Sequence, residues 1–249
     1  MSAAKSFVQV RREGGVLVLQ LDRPDKRNAL NRAMYGALAD ALERATVADT
    51  GAVLLLGSPG AFCAGNDIGD FLRFSDGAEG ALRDVERFLL ALVRCSVPVV
   101  AGVDGLAIGI GTTMLLHCDL AYATPLSIFR TPFVDLGLVP EAASSLLAPR
   151  LMGRQEAFAL LVLGETFDAA RAARTGLVRE VAEDATERAM RDAAALARKP
   201  REAVRLSRDL VRGDGAEIEA RIAEEIALFR QRLASPEARE AFVAFMRKG

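Results

Sequence analysis

Two short runs in this chain carry almost no polar residue: AVLLL at 52–56 and VPVVAGV at 97–103. Side chains of a strand alternate between the two faces of its sheet, so a strand can be apolar throughout only if both faces are covered. Stretches of helical period separate these runs. Leu30, Met34, Leu38 and Leu42 recur at helical spacing, with Asn31 as N-cap of a helix running to about Ala45, and residues 79–95 form a second amphipathic stretch. Short apolar strands alternating with helices predict an α/β fold, its strands largely parallel and sandwiched between helices. The segment FVQVRREGGVLVLQLDRP reads as a strand hairpin turning at Glu13-Gly14-Gly15. A further strand, LAYAT, follows a helix expected over 109–117.

From about Ala185 the pattern changes. Ala, Arg, Glu and Leu recur at helical period with no strand candidate, and Pro200, Gly213-Asp214-Gly215 and Ser235-Pro236 divide the tail into helices. The expected organisation is an α/β core over residues 1–185 and an all-helical C-terminal subdomain over 186–249, serving as a lid or an oligomer contact. Ile218, Ile222, Ile226 and Phe229 form an apolar stripe on one of those helices, suited to packing against a partner or against their own subunit.

Charge and residue counts narrow the function. Lys and Arg total 32 against 33 acidic residues, a net charge of −1, which lacks the basic bias of a nucleic-acid binder. One histidine, His117, leaves no room for a multi-histidine metal site. The three cysteines, Cys63, Cys95 and Cys118, lack metal-ligand spacing and read as buried free thiols. The N-terminus, MSAAKSFVQVRREGG, lacks the order of a signal peptide, and no apolar run reaches the roughly 18 residues of a membrane span, so a cytoplasmic protein without membrane contact is expected.

Two glycine-rich loops then stand out. In VLLLGSPGAFCAGNDIGDF a buried strand breaks through glycines and places small residues before a new helix. In AGVDGLAIGIGTTMLLHC, Gly109 and Gly111 flank Ile110 at a helix start. Glycine lets backbone approach a ligand closely, and the first N–H groups of a helix lack partners. Together the loops can offer two backbone donors to one oxygen that gains charge. On glycine spacing alone, tight helix–sheet packing is the better explanation of these residues. A phosphate loop fits poorly, because AIGIGTT has no P-loop lysine and does not match G-x-G-x-x-G.

The segments RPDKRNALN (23–31), FCAGNDI (62–68), AGVDGLAIGIG (101–111), CDLAYAT (118–124) and RTPFVDLGLVPEAASS (130–145) resemble, in order and spacing, the crotonase or enoyl-CoA hydratase/isomerase superfamily. The resemblance implies the ClpP/crotonase fold of repeated ββα units. It implies an acyl-CoA thioester substrate, with no metal and no cofactor beyond the CoA that the substrate carries. It also implies a homotrimer, or a hexamer made of two trimers. Carried over by motif, the thioester oxygen lies between the N–H groups of Asn66 and Ile110. The adenine lies near Ala64, Gly65, Asp67 and Ile68, with Ala29 nearby. Lys26 and Arg27 meet the CoA phosphates, or else form only a solvated turn.

Hydratases of the superfamily use two glutamates. At those positions this chain has Thr113 and Phe133, neither of which performs acid–base chemistry on water. One acid remains: Glu141, in VPEAASS. PEAASS and the GND of the first loop resemble the Δ3,Δ2-enoyl-CoA isomerase branch, where a glutamate at this position is the base. Glu141 next to Pro140 also reads as an ordinary helix start. Asp135 is its competitor, or a surface residue. Phe71, Phe133, Leu136 and Leu138 are candidates for the acyl pocket or for plain core.

Overall fold

The computed structural model describes residues 7–67, Gly69 and residues 79–246. A six-stranded sheet forms its centre, built from β1 (Val8–Glu13), β2 (Val16–Leu21), β3 (Ala52–Leu56), β5 (Val99–Val103), β7 (Leu120–Ala123) and β10 (Glu180–Val181), neighbours in that order. β1 and β2 form the expected antiparallel hairpin, with Glu13 opposite Val16. From β2 onward every pairing is parallel. β4 (Ala61–Cys63), β6 (Leu106–Ile108), β8 (Ile128–Arg130) and β9 (Phe167–Asp168) form a second sheet, which the sequence pattern did not separate from the first.

β3 coincides with AVLLL and is buried at every position, as an all-apolar strand demands. Val53 and Leu55 point to one face, where they meet Met34, Tyr35, Leu38 and Leu42 of α1 (Arg32–Arg44) and Phe88, Leu89 and Leu92 of α2 (Glu79–Arg94). Asn31 caps α1, its side chain accepting from the Met34 N–H at 3.0 Å. The Tyr35 and Phe88 rings lock the two helices together at 5.5 Å. Ala52, Leu54 and Leu56 point to the other face and meet Ala185, Ala189 and Ala193 of α6 (Ala185–Ala197). This first helix of the C-terminal tail is thus a layer of the sheet's own core. Alanines along its inner side let it lie close to the strands.

Past Ile108 the chain makes α3 (Ile110–Thr113), which tightens into a 3-10 turn over Met114–His117 instead of the single helix expected over 109–117. The helix expected to open at Pro140 starts later. α4 covers Ser144–Leu161, with a break at Gly153, and Ala142 and Ala143 before it take left-handed φ of 62° and 52°. The tail continues through α5 (Ala169–Arg174) and α6 to α7 (Arg201–Arg212), α8 (Gly215–Leu233) and α9 (Pro236–Met246), divided where the glycines and prolines predict. Ile218, Ile222 and Ile226 of α8 are buried in the main core of their own chain, and Phe229 in a second apolar cluster with Leu82 and Phe133. No helix among the described residues is long and apolar enough to cross a membrane.

Candidate active site

The first glycine loop leaves β4 at Cys63 and is stitched to the RPDKRNALN segment. Ala64 N–H donates to Arg27 C=O (3.0 Å), Leu30 N–H to Gly65 C=O (2.8 Å) and Asp67 N–H to Leu30 C=O (2.9 Å). Asn28, fully buried, holds the assembly from beneath: its amide donates to Ala61 C=O at 2.7 Å and its Oδ1 accepts from Arg23 N–H at 2.8 Å. Arg23 pairs with Asp67 at 2.8 Å and donates to Ala29 C=O at 2.9 Å. Asp67 Oδ1 also accepts from Gly69 N–H at 2.9 Å, a turn-closing bond. Within this scaffold the Asn66 N–H takes part in no bond among the described residues. The Asn66 side chain is held by the Tyr35 hydroxyl, which donates to Oδ1.

The second loop is pinned in the same way. Gly109 N–H donates to Arg130 C=O at 2.8 Å, and the Thr112 and Thr113 N–H groups turn back onto Gly109 C=O. Ile110 is the first residue of α3, and no bond among the described residues uses its N–H. Glycine is required where the loops meet. At Gly65, φ is 93° and a Cβ would lie 3.1 Å from Ile108 C=O; at Gly111 a Cβ would lie 2.5 Å from Cys63 C=O. Two N–H groups that no bond among the described residues uses therefore sit on adjoining loops held by buried hydrogen bonds.

Glu141 is 4% exposed, and its Oε1 has no hydrogen-bond partner among the described residues. Together with Asn66, Leu82, Val85, Leu89, Ile226 and Phe229 it lines a cavity of about 10 Å³, room for about one water. Burial pushes its carboxyl up to about 8, and the neighbouring charge of Glu225 adds to the rise. Proximity to a helix start does not offset this. The backbone before α4 turns through left-handed Ala142 and Ala143, with Ser144 N–H donating to Glu141 C=O at 3.0 Å. His117 secures the turn through Nε2–H, donated to Ala142 C=O at 2.8 Å, and burial holds its imidazole down at about 4 and hence neutral. Sequence reasoning missed Glu225. It lies on α8 beside Ile226, and nothing in the local pattern distinguishes it from the solvated acid Glu224.

The other expected positions divide into groups. Ala64, Gly65, Asn66 and Asp67 lie on the first loop, Ala29 in the 23–31 segment bonded to it, and Lys26 and Arg27 stand exposed on the turn of that segment. Ile68 and Phe71 lie outside the described residues. Phe133 and Leu138 are buried with Leu82, Phe229, Leu233 and Phe242, and Leu136 packs against them; none of the three is among the described residues lining the Glu141 cavity. Asp135 is half exposed and paired with Arg130 at 2.8 Å, apart from that cavity. Thr113 is buried, its hydroxyl directed to Gly109 C=O at 3.4 Å.

The family model described as enoyl-CoA hydratase/isomerase matches residues 11–249. This chain belongs to that family, within the crotonase superfamily. Enoyl-CoA delta isomerase 2 of Rattus norvegicus is 32% identical over 96% of the chain, which spans 63% of the rat protein's length. A probable enoyl-CoA hydratase of Rhodobacter capsulatus is 38% identical over 68% of the chain and 66% of its own length. Among solved structures, Pseudomonas aeruginosa OdaA superposes with a TM-score of 0.91 at 43% identity, covering 97% of this chain and 99% of its own. The family member's two sheets and helical tail are therefore the crotonase fold expected from the motifs.

Proposed function

We propose that this family member is an acyl-CoA enzyme that moves the double bond of a 3-enoyl-CoA to the trans-2 position. The observation that carries the proposal is Glu141, a buried carboxyl group with one oxygen that has no partner among the described residues, in an apolar cavity that it shares with Asn66. Migration of the double bond needs one base. Glu141 takes a proton from C2, charge spreads to the thioester oxygen and to C4, and the same carboxyl returns the proton at C4. The N–H groups of Asn66 and Ile110 receive the oxygen as it gains charge. A carboxylate with raised proton affinity is the stronger base toward a carbon acid, and a value near neutrality suits both halves of the transfer. The chemistry moves a proton and a pair of electrons within the substrate, and the only CoA it uses is the substrate's own. In this reading the adenine rests near the first loop and the CoA phosphates meet Lys26 and Arg27, which stand exposed beside it.

Hydration is the second reading, favoured by a second buried carboxyl, Glu225, and by the name of the Rhodobacter relative. Against it, Glu225 is bonded to Ser145 and is not among the described residues lining the cavity. Thr113 and Phe133 stand where the superfamily's hydratases place their acids. Assembly as a trimer or hexamer belongs to the same proposal. It is supported by exposed Leu206, Leu210 and Val211 on α7, and light scattering that returns a monomer refutes it. The catalytic assignment is tested by turnover of 3-hexenoyl-CoA: Glu141→Gln loses it by several orders of magnitude, and full turnover in the variant overturns the assignment.

A further inference from the structure

Glu225 is 4% exposed, and it stands at the turn that carries Glu141. Its Oε1 accepts from the Ser145 N–H at 3.0 Å and from the Ser145 hydroxyl at 2.6 Å. Ser145 lies in the first turn of α4, immediately after the left-handed Ala142–Ala143 pair. Arg221, one turn earlier on α8, donates to the same hydroxyl at 3.0 Å while pairing with Glu224 at 2.9 Å. The Glu225 Oε2, like Glu141 Oε1, has no partner among the described residues. Two carboxyl groups therefore lie buried in one apolar region, and among the described residues each has an unsatisfied oxygen and neither is paired directly with a cation. Buried acids are expensive unless bonded, so such a pair stands out against the apolar lining around it.

We infer that Glu225 is a positioning residue: it anchors the Ala142–Ala143 turn that aims Glu141 into the cavity, and it stands buried behind that turn as the acidic neighbour of Glu141. The inference rests on Glu141 as the base. Among the described residues, the groups around Glu141 leave Glu225 as the one that can act in this way. Cys63 of β4 is buried with its thiol pushed up to about 12, so it is uncharged. His117 of the 3-10 turn is held neutral. α2 contributes Leu82, Val85 and Leu89 to the lining. From α8 come Glu225 and Arg221, and Arg221 is already paired with Glu224. Burial pushes the Glu225 carboxyl up, opposed by its bonds to Ser145, by the Ala143 N–H and by Arg221. Like charges in one desolvated site resist joint ionisation, so the charge on either acid delays the other.

The experiment separates positioning from charge. Glu225→Gln keeps an oxygen for the Ser145 donors and removes the charge, whereas Glu225→Ala removes both. The acid limb of kcat/KM for 3-hexenoyl-CoA moves to lower pH in Glu225→Gln, so that below pH 7 this variant exceeds wild type by about three- to tenfold, the gain from relieving one like charge. Glu225→Ala instead loses kcat at every pH. A second readout does not depend on catalysis: isotope-edited infrared titration of the Glu141 carboxyl, assigned with Glu141→Gln. Its midpoint falls in Glu225→Gln. An unchanged midpoint, or a Glu225→Ala enzyme with wild-type kcat, overturns the inference. If Glu141→Gln keeps turnover while the midpoint still moves, the base assignment fails and the coupling stands.

Discussion

Replacing Glu141 by glutamine should make the protein more stable, and increasingly so as pH rises. The carboxyl ionises near 4.5 in an unfolded chain, but in the folded protein only at about 8. The folded state therefore holds its proton more tightly across that interval, and wild-type stability falls as pH climbs through it. Below pH 4.5 both states are protonated and the penalty is absent; above about 8 it is complete. A pKa difference of one is worth about 1.36 kcal/mol, so the full penalty is on the order of 5 kcal/mol. Glutamine carries no charge to desolvate. The difference between variant and wild type should thus grow by about 5 kcal/mol between pH 4.5 and 8.5, which is about 10–20 °C in Tm for a chain of this size. His117 titrates in the lower part of the range, but it is common to both proteins and cancels in the difference. Thermal unfolding of the two proteins in parallel across that range measures the effect. Parallel curves would refute the reasoning, because they would mean that Glu141 reaches water in the folded protein.

Three other perturbations test the scaffold. Gly65→Ala forces a left-handed φ of 93° on a side chain set 3.1 Å from Ile108 C=O; it should cost about 1–3 kcal/mol in urea unfolding and lower kcat at least tenfold by misplacing the Asn66 N–H. Asn28→Ala leaves the carbonyl of Ala61 and the N–H of Arg23 without their buried partner, and should cost about 2–3 kcal/mol with a larger fall in turnover than in substrate affinity. Cys63 and Cys95 are buried with thiols pushed up by desolvation, whereas Cys118, expected buried as well, is only partly so; iodoacetamide at pH 8 should label Cys63 and Cys95 only after unfolding, and labelling of either in the native protein within minutes would contradict their placement.

Much of the fold is legible in the sequence because local chemistry and tertiary demand agree. AVLLL satisfies a strand covered on both faces, Asn31 can cap only the helix that follows it, and the tail breaks at its prolines and glycines. Legibility ends where tertiary contacts override local preference. Ala142 and Ala143 favour helix, yet adopt left-handed φ because His117, Ser145 and Glu225 hold the turn there. The alanines of α6 look like those of any surface helix, although they cover the central sheet. The backbone positions of Asn66 and Ile110 are nameable only through the resemblance of FCAGNDI and AGVDGLAIGIG to the superfamily's motifs, because glycine spacing by itself is explained by tight packing. Glu225 is not nameable, because its partner is far away in the chain and its neighbours on α8 include an exposed acid of the same kind.

The central claim is that one carboxyl group moves a double bond without adding water. Progress curves with 3-hexenoyl-CoA and 2-hexenoyl-CoA, run on wild type and on Glu141→Gln, test it most directly. The account predicts growth of 2-enoyl absorbance from the 3-enoyl substrate, abolished in the variant, and no hydration of the 2-enoyl substrate. Loss of 2-enoyl absorbance that persists in Glu141→Gln would contradict it and assign water addition to other acids.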